Sequence, residues 1–384
     1  MVDRLKKYFL VDISLILIIG IIMVYSSSYI YSKEVLGSST HFLFKQATFM
    51  LLGLLGAFIV SKTKFSFWYK HIFKINWAAS ALIALSFTPV GISVKGSQRW
   101  VSLGGFNFQP GEFAKYSLLL SAICFFNHFR LYSVEERLKK SLSFIVPLGL
   151  LIFQPDFGTF AISAIMIGFA CFLSDFPRKY FYSTVVLGAA GLFAILISAP
   201  YRLKRLFTYL DPWSDPQNSG FQIIQSYLAF ANGHVFGQGI GNSTEKLFYL
   251  PEAYNDFILS VLGEEAGFIG LLTVVLLFVA FTFLGFKLAL TARSKINQQV
   301  ISSLIFCVSL QAFLNMGVVL GLLPTKGLNL PFISYGGSSL LANLLAIGFI
   351  FSALSPKSQV VEPVAGDQAP PVDEFARRYA GAYE

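Results

Sequence analysis

The chain has 384 residues, 55% of them hydrophobic and only 13% charged, with a formal net charge of +9. A soluble protein would carry about 25% charged residues, so this deficit, together with 41 Phe, excludes an ordinary soluble domain and points to an integral membrane protein. Cys124, Cys171 and Cys307 all lie in apolar runs, which supports neither a disulfide framework nor a CxxC metal site.

A spanning helix needs about 20 mostly apolar residues. In chain order the candidate spans are 9–31, 43–61, 72–90, 113–128, 142–155, 157–174, 180–199, 256–286, 300–322 and 335–354. The expected fold is therefore all-α and integral to the membrane, with about ten transmembrane helices. The fifth span is short and carries Pro147, and Pro155 separates it from the sixth. The first run lacks a small-residue cleavage site and reads as a signal anchor.

Lysines and arginines punctuate the gaps between spans and form no basic block interleaved with aromatics on a soluble domain. Nucleic acid is therefore not an expected partner. With a cytoplasmic N-terminus, Arg4, Lys6, Lys7, Lys62, Lys64, Arg137, Lys139, Lys140, Arg178, Lys179, Arg293 and Lys295 all fall inside, in keeping with the positive-inside bias. Both termini are then cytoplasmic. Two large outer loops follow, at about 91–112 and 200–255; the second is too aromatic for disorder and is expected to hold short interfacial helices. Residues 357–384 read as a polar, Pro-containing cytoplasmic tail outside the 1–356 membrane domain. No internal repeat suggests the inverted halves of many transporters.

The outer cations matter because topology does not require them. Arg99 beside Trp100 suits an anion at headgroup level. Glu112 and Lys115, three apart at a helix start, share one face; a helix-start acid and a snorkelling lysine are the alternative. Asp156 reads first as a helix cap, with a cavity-facing carboxylate as the competing role. Arg202 and Lys204, set among aromatics, fit a pyrophosphate or an anionic lipid headgroup. The Gly237-Gln-Gly239-Ile-Gly241 run has no preceding strand and does not read as a dinucleotide motif. Lys326, in a non-helical stretch between spans, reads as a phosphate contact or as part of a gate.

The richest segment is Tyr249 to Phe268, which sets Glu252, Asp256, Glu264 and Glu265 at the mouth of an otherwise apolar span. A carboxylate at membrane depth costs at least about 2.5 kcal/mol and is a functional candidate for that reason. Asp256 at the mouth suits a general base. Glu252 suits loop placement, and Glu264 and Glu265 suit contacts between helices.

These segments together resemble one family. The Gly241-Asn242-Ser243 approach, the run through Asp256, and the Pro324-Thr325-Lys326-Gly327 and Ile333-Ser334-Tyr335-Gly336-Gly337-Ser338-Ser339 block are similar to the SEDS proteins (shape, elongation, division and sporulation). The resemblance covers about residues 10–355, and Gly241-Asn242-Ser243 with Pro251-Glu252-Ala253 looks more like the division branch than the elongation branch. One departure stands out: Tyr254-Asn255 precedes Asp256 where the family usually shows His-Thr. The resemblance implies a peptidoglycan glycosyltransferase that polymerises lipid II on the outer face of the bacterial cytoplasmic (inner) membrane. It implies Asp256 as the essential acid, with Arg99, Glu112, Lys115, Arg202 and Lys326 within the family's functional motifs; Lys204 and Ser338 join these as candidate substrate-binding residues. It also implies a class B penicillin-binding protein and other division proteins as partners. A divalent cation (Mg or Mn) would suit the chemistry, although no ligand cluster demands one and no other cofactor is expected. A lipid II flippase and a non-catalytic division scaffold are the rival readings.

Overall fold

The computed structural model describes residues 2–94, 97–103, 106–197, 208–218, 220–247, 249–324 and 327–356. Among the described residues, ten long helices overlap the ten apolar runs: α1 (Val2–Leu36), α2 (His41–Lys62), α3 (Phe65–Leu85), α4 (Pro110–Asn127), α5 (Val134–Phe153), α6 (Phe157–Leu173), α7 (Arg178–Ile197), α9 (Ile258–Ala289), α10 (Lys295–Val319) and α11 (Gly337–Leu354). A shorter helix, α8 (Phe221–Gly233), lies within the second large loop. Among the described residues, α1, α2, α9, α10 and α11 are each long and apolar enough to cross a membrane, and α6 is a shorter apolar helix. The chain is a multi-pass helical membrane protein.

Local chemistry sets the helix ends. Ser133 and Glu136 form a reciprocal capping box at the start of α5, satisfying two donors the first turn leaves open. Pro110 opens α4, where its missing N–H costs nothing. α4 is buried along nearly its whole length and α10 along most of it. α2 and α7 stand at the periphery, with Leu51, Leu55, Phe58, Val186, Leu187 and Phe193 exposed. Apolar side chains so placed face lipid. α2 packs closely on α11 because Gly56 leaves room for Leu345 and Gly348 lies against the Ala57 backbone, the small-residue contact that lets membrane helices approach.

The first large loop departs from the all-α expectation. It forms a meander of three antiparallel strands, β1 (Gly91–Val94), β2 (Ser97–Leu103) and β3 (Phe106–Phe108). Ile92 pairs with Trp100 and Val101 with Phe108, with an irregularity after Ile92. The sheet holds Arg99 on its middle strand, next to the start of α4.

α9 is broken at Gly267, whose φ is 66°. Its backbone groups are not lost there. Gln238 N and Gly239 N donate to the carbonyls of Glu264 and Glu265 at 2.9 Å each, and Phe268 N and Ile269 N donate to the carbonyls of His234 and Val235 at 2.9 and 3.2 Å. An unpaired peptide group in hydrocarbon costs several kcal/mol, so a broken helix at this depth needs such a substitute ladder. The 234–239 segment supplies it.

The ends of the bundle differ in character. Lys295 pairs with Asp175 at 2.6 Å, Gln299 donates to the Leu173 carbonyl, and Ser352 donates to the Thr63 carbonyl, all at one end. The sheet, the 234–257 segment and the 327–336 turn gather at the other.

Candidate active site

Asp256 closes a series of turns directly before α9 and is half-buried. Its backbone is held from several sides. Asn315 Nδ2 on α10 donates to the Asp256 carbonyl at 2.9 Å. One and two residues earlier, Ser334 Oγ donates to the Asn255 carbonyl at 2.7 Å and Tyr335 N to the Tyr254 carbonyl at 3.0 Å. Gln46 on α2 locks the same turn: its Nε2 donates to the Ser334 carbonyl at 3.2 Å and its Oε1 accepts from Gly336 N at 3.4 Å. A Cβ placed on Gly327 would lie 3.2 Å from Asp256 Oδ2, so the glycine lets backbone approach the carboxylate. Glu252 accepts from Asn255 Nδ2 at 3.0 Å and sits at φ 59°, a local brace for this series of turns.

Tyr254 joins Tyr31, Phe42 and Tyr335 in an aromatic cluster, with ring centroids 5.4, 4.8 and 6.0 Å from its own. Burial, with Glu252 and Tyr31 nearby, pushes the Tyr254 hydroxyl well above its ordinary range, so it stays protonated. The cluster fixes the loop to the ends of α1 and α2.

Lys115 is almost fully buried and pairs with Glu112 at 2.7 Å. A snorkelling lysine is thereby excluded. Its ammonium also donates to Gln311 Oε1 at 2.6 Å, and Gln311 Nε2 donates to the Asn329 carbonyl at 3.1 Å. The pair on α4 thus connects through α10 to the turn beside Asp256.

Asp156 serves as the cap of α6, accepting from Thr159 N at 3.2 Å and Thr159 Oγ1 at 2.9 Å. It has further partners: Gln109 Nε2 donates to it at 3.2 Å, and Arg99 stands 3.8 Å away. Arg99 also donates to Ser97 Oγ at 3.1 Å and the Pro155 carbonyl at 3.0 Å, with its side chain 31% exposed. Ser338, in the first turn of α11, accepts from Gln109 N at 3.0 Å. Arg99, Asp156, Gln109 and Ser338 therefore form one connected set.

Glu264 and Glu265 are fully buried and lie in a separate cluster at the break in α9. Glu265 forms a buried ion pair with Lys246 at 2.6 Å and accepts from Ser26 of α1 at 2.6 Å. Glu264 binds a loop more than a helix. It accepts from Ser243 Oγ, from Thr244 N and Oγ1 at 3.1 and 2.7 Å, and from Glu245 N at 3.3 Å. Its neighbour Glu245 is buried, with Oε2 unpartnered. Burial and the adjacent Glu264 raise the Glu245 carboxyl to about 7.

Arg202, Lys204 and Lys326 lie outside the described residues. Sequence reasoning missed Gln46, Gln311, Asn315 and Asn329. The usable signal was the i, i+4 spacing of two amides, Gln311 and Asn315, on one face of an apolar helix, where each polar group needs a partner. Among the described residues, no group of three or more His, Cys, Asp or Glu is arranged to hold a metal ion.

The family model described as "Cell cycle protein", covering FtsW, RodA and SpoVE, matches residues 6–359. A probable peptidoglycan glycosyltransferase FtsW from Geobacter metallireducens is 37% identical over 349 residues, covering 87% of this chain and 90% of that protein. A protein of the same description from Thioalkalivibrio sulfidiphilus is 40% identical over 359 residues, covering 91% and 89%. Among solved structures, a chain described under "Structural coordination of polymerization and crosslinking by a peptidoglycan synthase complex" superposes with a TM-score of 0.73 at 28% identity, covering 92% of this chain and 98% of that one. The rod shape determining protein RodA of Thermus thermophilus has the same fold, with a TM-score of 0.65, 24% identity, and coverage of 92% and 97%. The chain belongs to the SEDS family of multi-pass membrane proteins, the family of FtsW and RodA.

Proposed function

We propose that this protein is a peptidoglycan glycosyltransferase that polymerises lipid II on the outer face of the bacterial cytoplasmic membrane during septal wall synthesis. The names of its relatives support the activity. The observation that carries the site assignment is Asp256 itself, a half-buried carboxylate whose loop backbone is anchored from α10 and from the 330–336 turn.

In the proposed reaction, an acceptor sugar 4-hydroxyl gives its proton to Asp256 as its oxygen attacks the anomeric carbon of the lipid-linked donor. A carbon–oxygen bond forms with inversion, the bond to phosphate breaks, and undecaprenyl pyrophosphate leaves with the electron pair. Hydrolysis of an ordinary glycoside needs a second carboxyl to protonate the leaving group. Pyrophosphate leaves as an anion, so a single base and nearby cations suffice. Charge gathering on it would be met by Arg99, which is partly exposed, and by Arg202, Lys204 and Lys326. Fixed cations in a water-poor site stabilise developing charge strongly. Glu112, Lys115 and Ser338 would line and support that pocket. A divalent cation, Mg2+ or Mn2+, would need substrate phosphate oxygens to complete its shell, because the described residues offer no protein-only site.

A class B penicillin-binding protein is the proposed partner, with other division proteins around it. Purified protein incubated with lipid II in detergent, with and without such a partner, tests the activity. Glycan chains are expected, since detergent removes any transmembrane direction. Intact lipid II with the partner present would instead leave transport or scaffolding as the function.

A further inference from the structure

We infer that Asn315, with Gln311 one helical turn away, is a positioning residue that sets Asp256 against the Gly327 backbone; the inference rests on the glycosyltransferase reading above.

The two amides hold the carbonyls of consecutive residues. Asn315 Nδ2 donates to the Leu328 carbonyl at 2.5 Å, and Gln311 Nε2 donates to the Asn329 carbonyl at 3.1 Å. Asn315 Nδ2 also reaches the Asp256 carbonyl at 2.9 Å. One amide nitrogen therefore bridges the segment carrying the base and the segment that follows Gly327. Because both acceptors are carbonyl oxygens, the amide can point only one way. Its own Oδ1 is buried without a hydrogen-bond partner. Buried polar atoms in that state are uncommon and call for a reason. A flipped amide would set Oδ1 against the Asp256 and Leu328 carbonyls, so the two loops fix its orientation whether or not Oδ1 finds a donor.

The rest of the contact set points the same way. Leu328 is buried and packs on Gly158, where an added Cβ would come within 3.2 Å of the leucine. Gln311 passes the constraint on to the buried Lys115–Glu112 pair. α10 thus adds its own hold on the approach of Gly327 to the carboxylate, beside those from Ser334, Tyr335 and Gln46. Asn315 Nδ2 donates to backbone carbonyls, so it acts on the carboxylate through the Asp256 backbone.

The test compares Asn315→Asp with Asn315→Ser, each as purified full-length protein with its transpeptidase partner, with rates expressed per folded molecule. Asn315→Asp keeps the shape but sets an oxygen against two carbonyls; Asn315→Ser keeps one shorter donor. The expected result is at least a tenfold fall in kcat for Asn315→Asp, a smaller fall for Asn315→Ser, and a KM for lipid II within twofold of wild type. Asn76→Asp, which disturbs a buried amide that bonds Ser143 and Ser117 on other elements, should lower the melting temperature and leave kcat unchanged. If Asn315→Asp folds and works within twofold of the wild-type kcat, or loses activity entirely through KM, or if Asn315→Ser falls as far as Asn315→Asp, the inference fails. A wild-type protein that makes glycan alongside an inert Asp256→Asn keeps the underlying reading intact in that case. A wild-type protein that makes none overturns both.

Discussion

Glu245 is the residue whose surroundings speak most directly about pH. The residue is 7% exposed, and its carboxyl, beside Glu264, is raised from an ordinary 4.5 to about 7. A folded-state value above the unfolded one means the neutral form is favoured by folding. That stability is complete below about pH 4.5 and is lost as pH rises through 7. Glu245→Gln removes the titration, so it should gain about 1–3 kcal/mol over wild type at pH 8 and almost nothing at pH 4.5. Thermal unfolding in detergent at the two pH values checks this. Lys115 makes the opposite case. Removing it as Lys115→Met strands Glu112 and Gln311 in a buried site, at a cost of about 3–5 kcal/mol. The double variant Glu112→Gln/Lys115→Met should recover much of that loss, as measured by the melting temperatures of the three proteins. Both carboxylate clusters were visible as charges in apolar sequence. Their partners were not, because Lys115 meets Gln311 and Glu265 meets Ser26 across 196 and 239 positions of chain.

At the scale of elements, apolar length read out the ten long helices well, since a bilayer imposes one requirement on every span. It could not read the β1–β3 sheet. The strands are short, and the 91–108 segment has no sustained alternation of apolar and polar residues. Nor could it foresee that α9 breaks at Gly267, because an isolated glycine in an apolar run is tolerated in most helices. The break is what lets the 234–239 segment dock. A Cβ at Gly267 would overlap Gly237 N and Val235 O, at a backbone φ of 66° that disfavours other residues. Gly267→Ala should therefore cost at least about 2–3 kcal/mol, with greater protease cleavage between residues 234 and 250 than in wild type. Equal stability and equal protection would mean that the docked segment is not held by this break.

For the whole molecule, the chemistry-bearing groups gather at one end of the bundle and the Lys295–Asp175 pair marks the other. The three native cysteines are buried, so single introduced cysteines can report sidedness. If the candidate site faces outward, Ser38→Cys is labelled by an impermeant thiol reagent on intact cells, and Glu135→Cys only after the membrane is opened. The reverse pattern would put Asp256 on the wrong side of the membrane for extracellular polymerisation. Sequence singled out Asp256 and the Glu112–Lys115 pair through their charge beside apolar spans, and Arg99 as an outer cation next to Trp100. The amides that hold the Asp256 loop and the Glu112–Lys115 pair, Gln46, Gln311 and Asn315, carry no charge and gain meaning only from the partners they meet.

The most direct test of the account is glycan synthesis from lipid II by wild type, Asp256→Asn and Asp256→Glu, each shown to be folded and bound to the transpeptidase partner. Asp256→Asn removes the base and keeps the shape, so polymer formation should fall at least a hundredfold, with binding of the partner unchanged. Asp256→Glu keeps a carboxylate in a displaced position and should retain a small fraction of the rate. Polymer made by folded Asp256→Asn at close to the wild-type rate would contradict the assignment of Asp256 as the base.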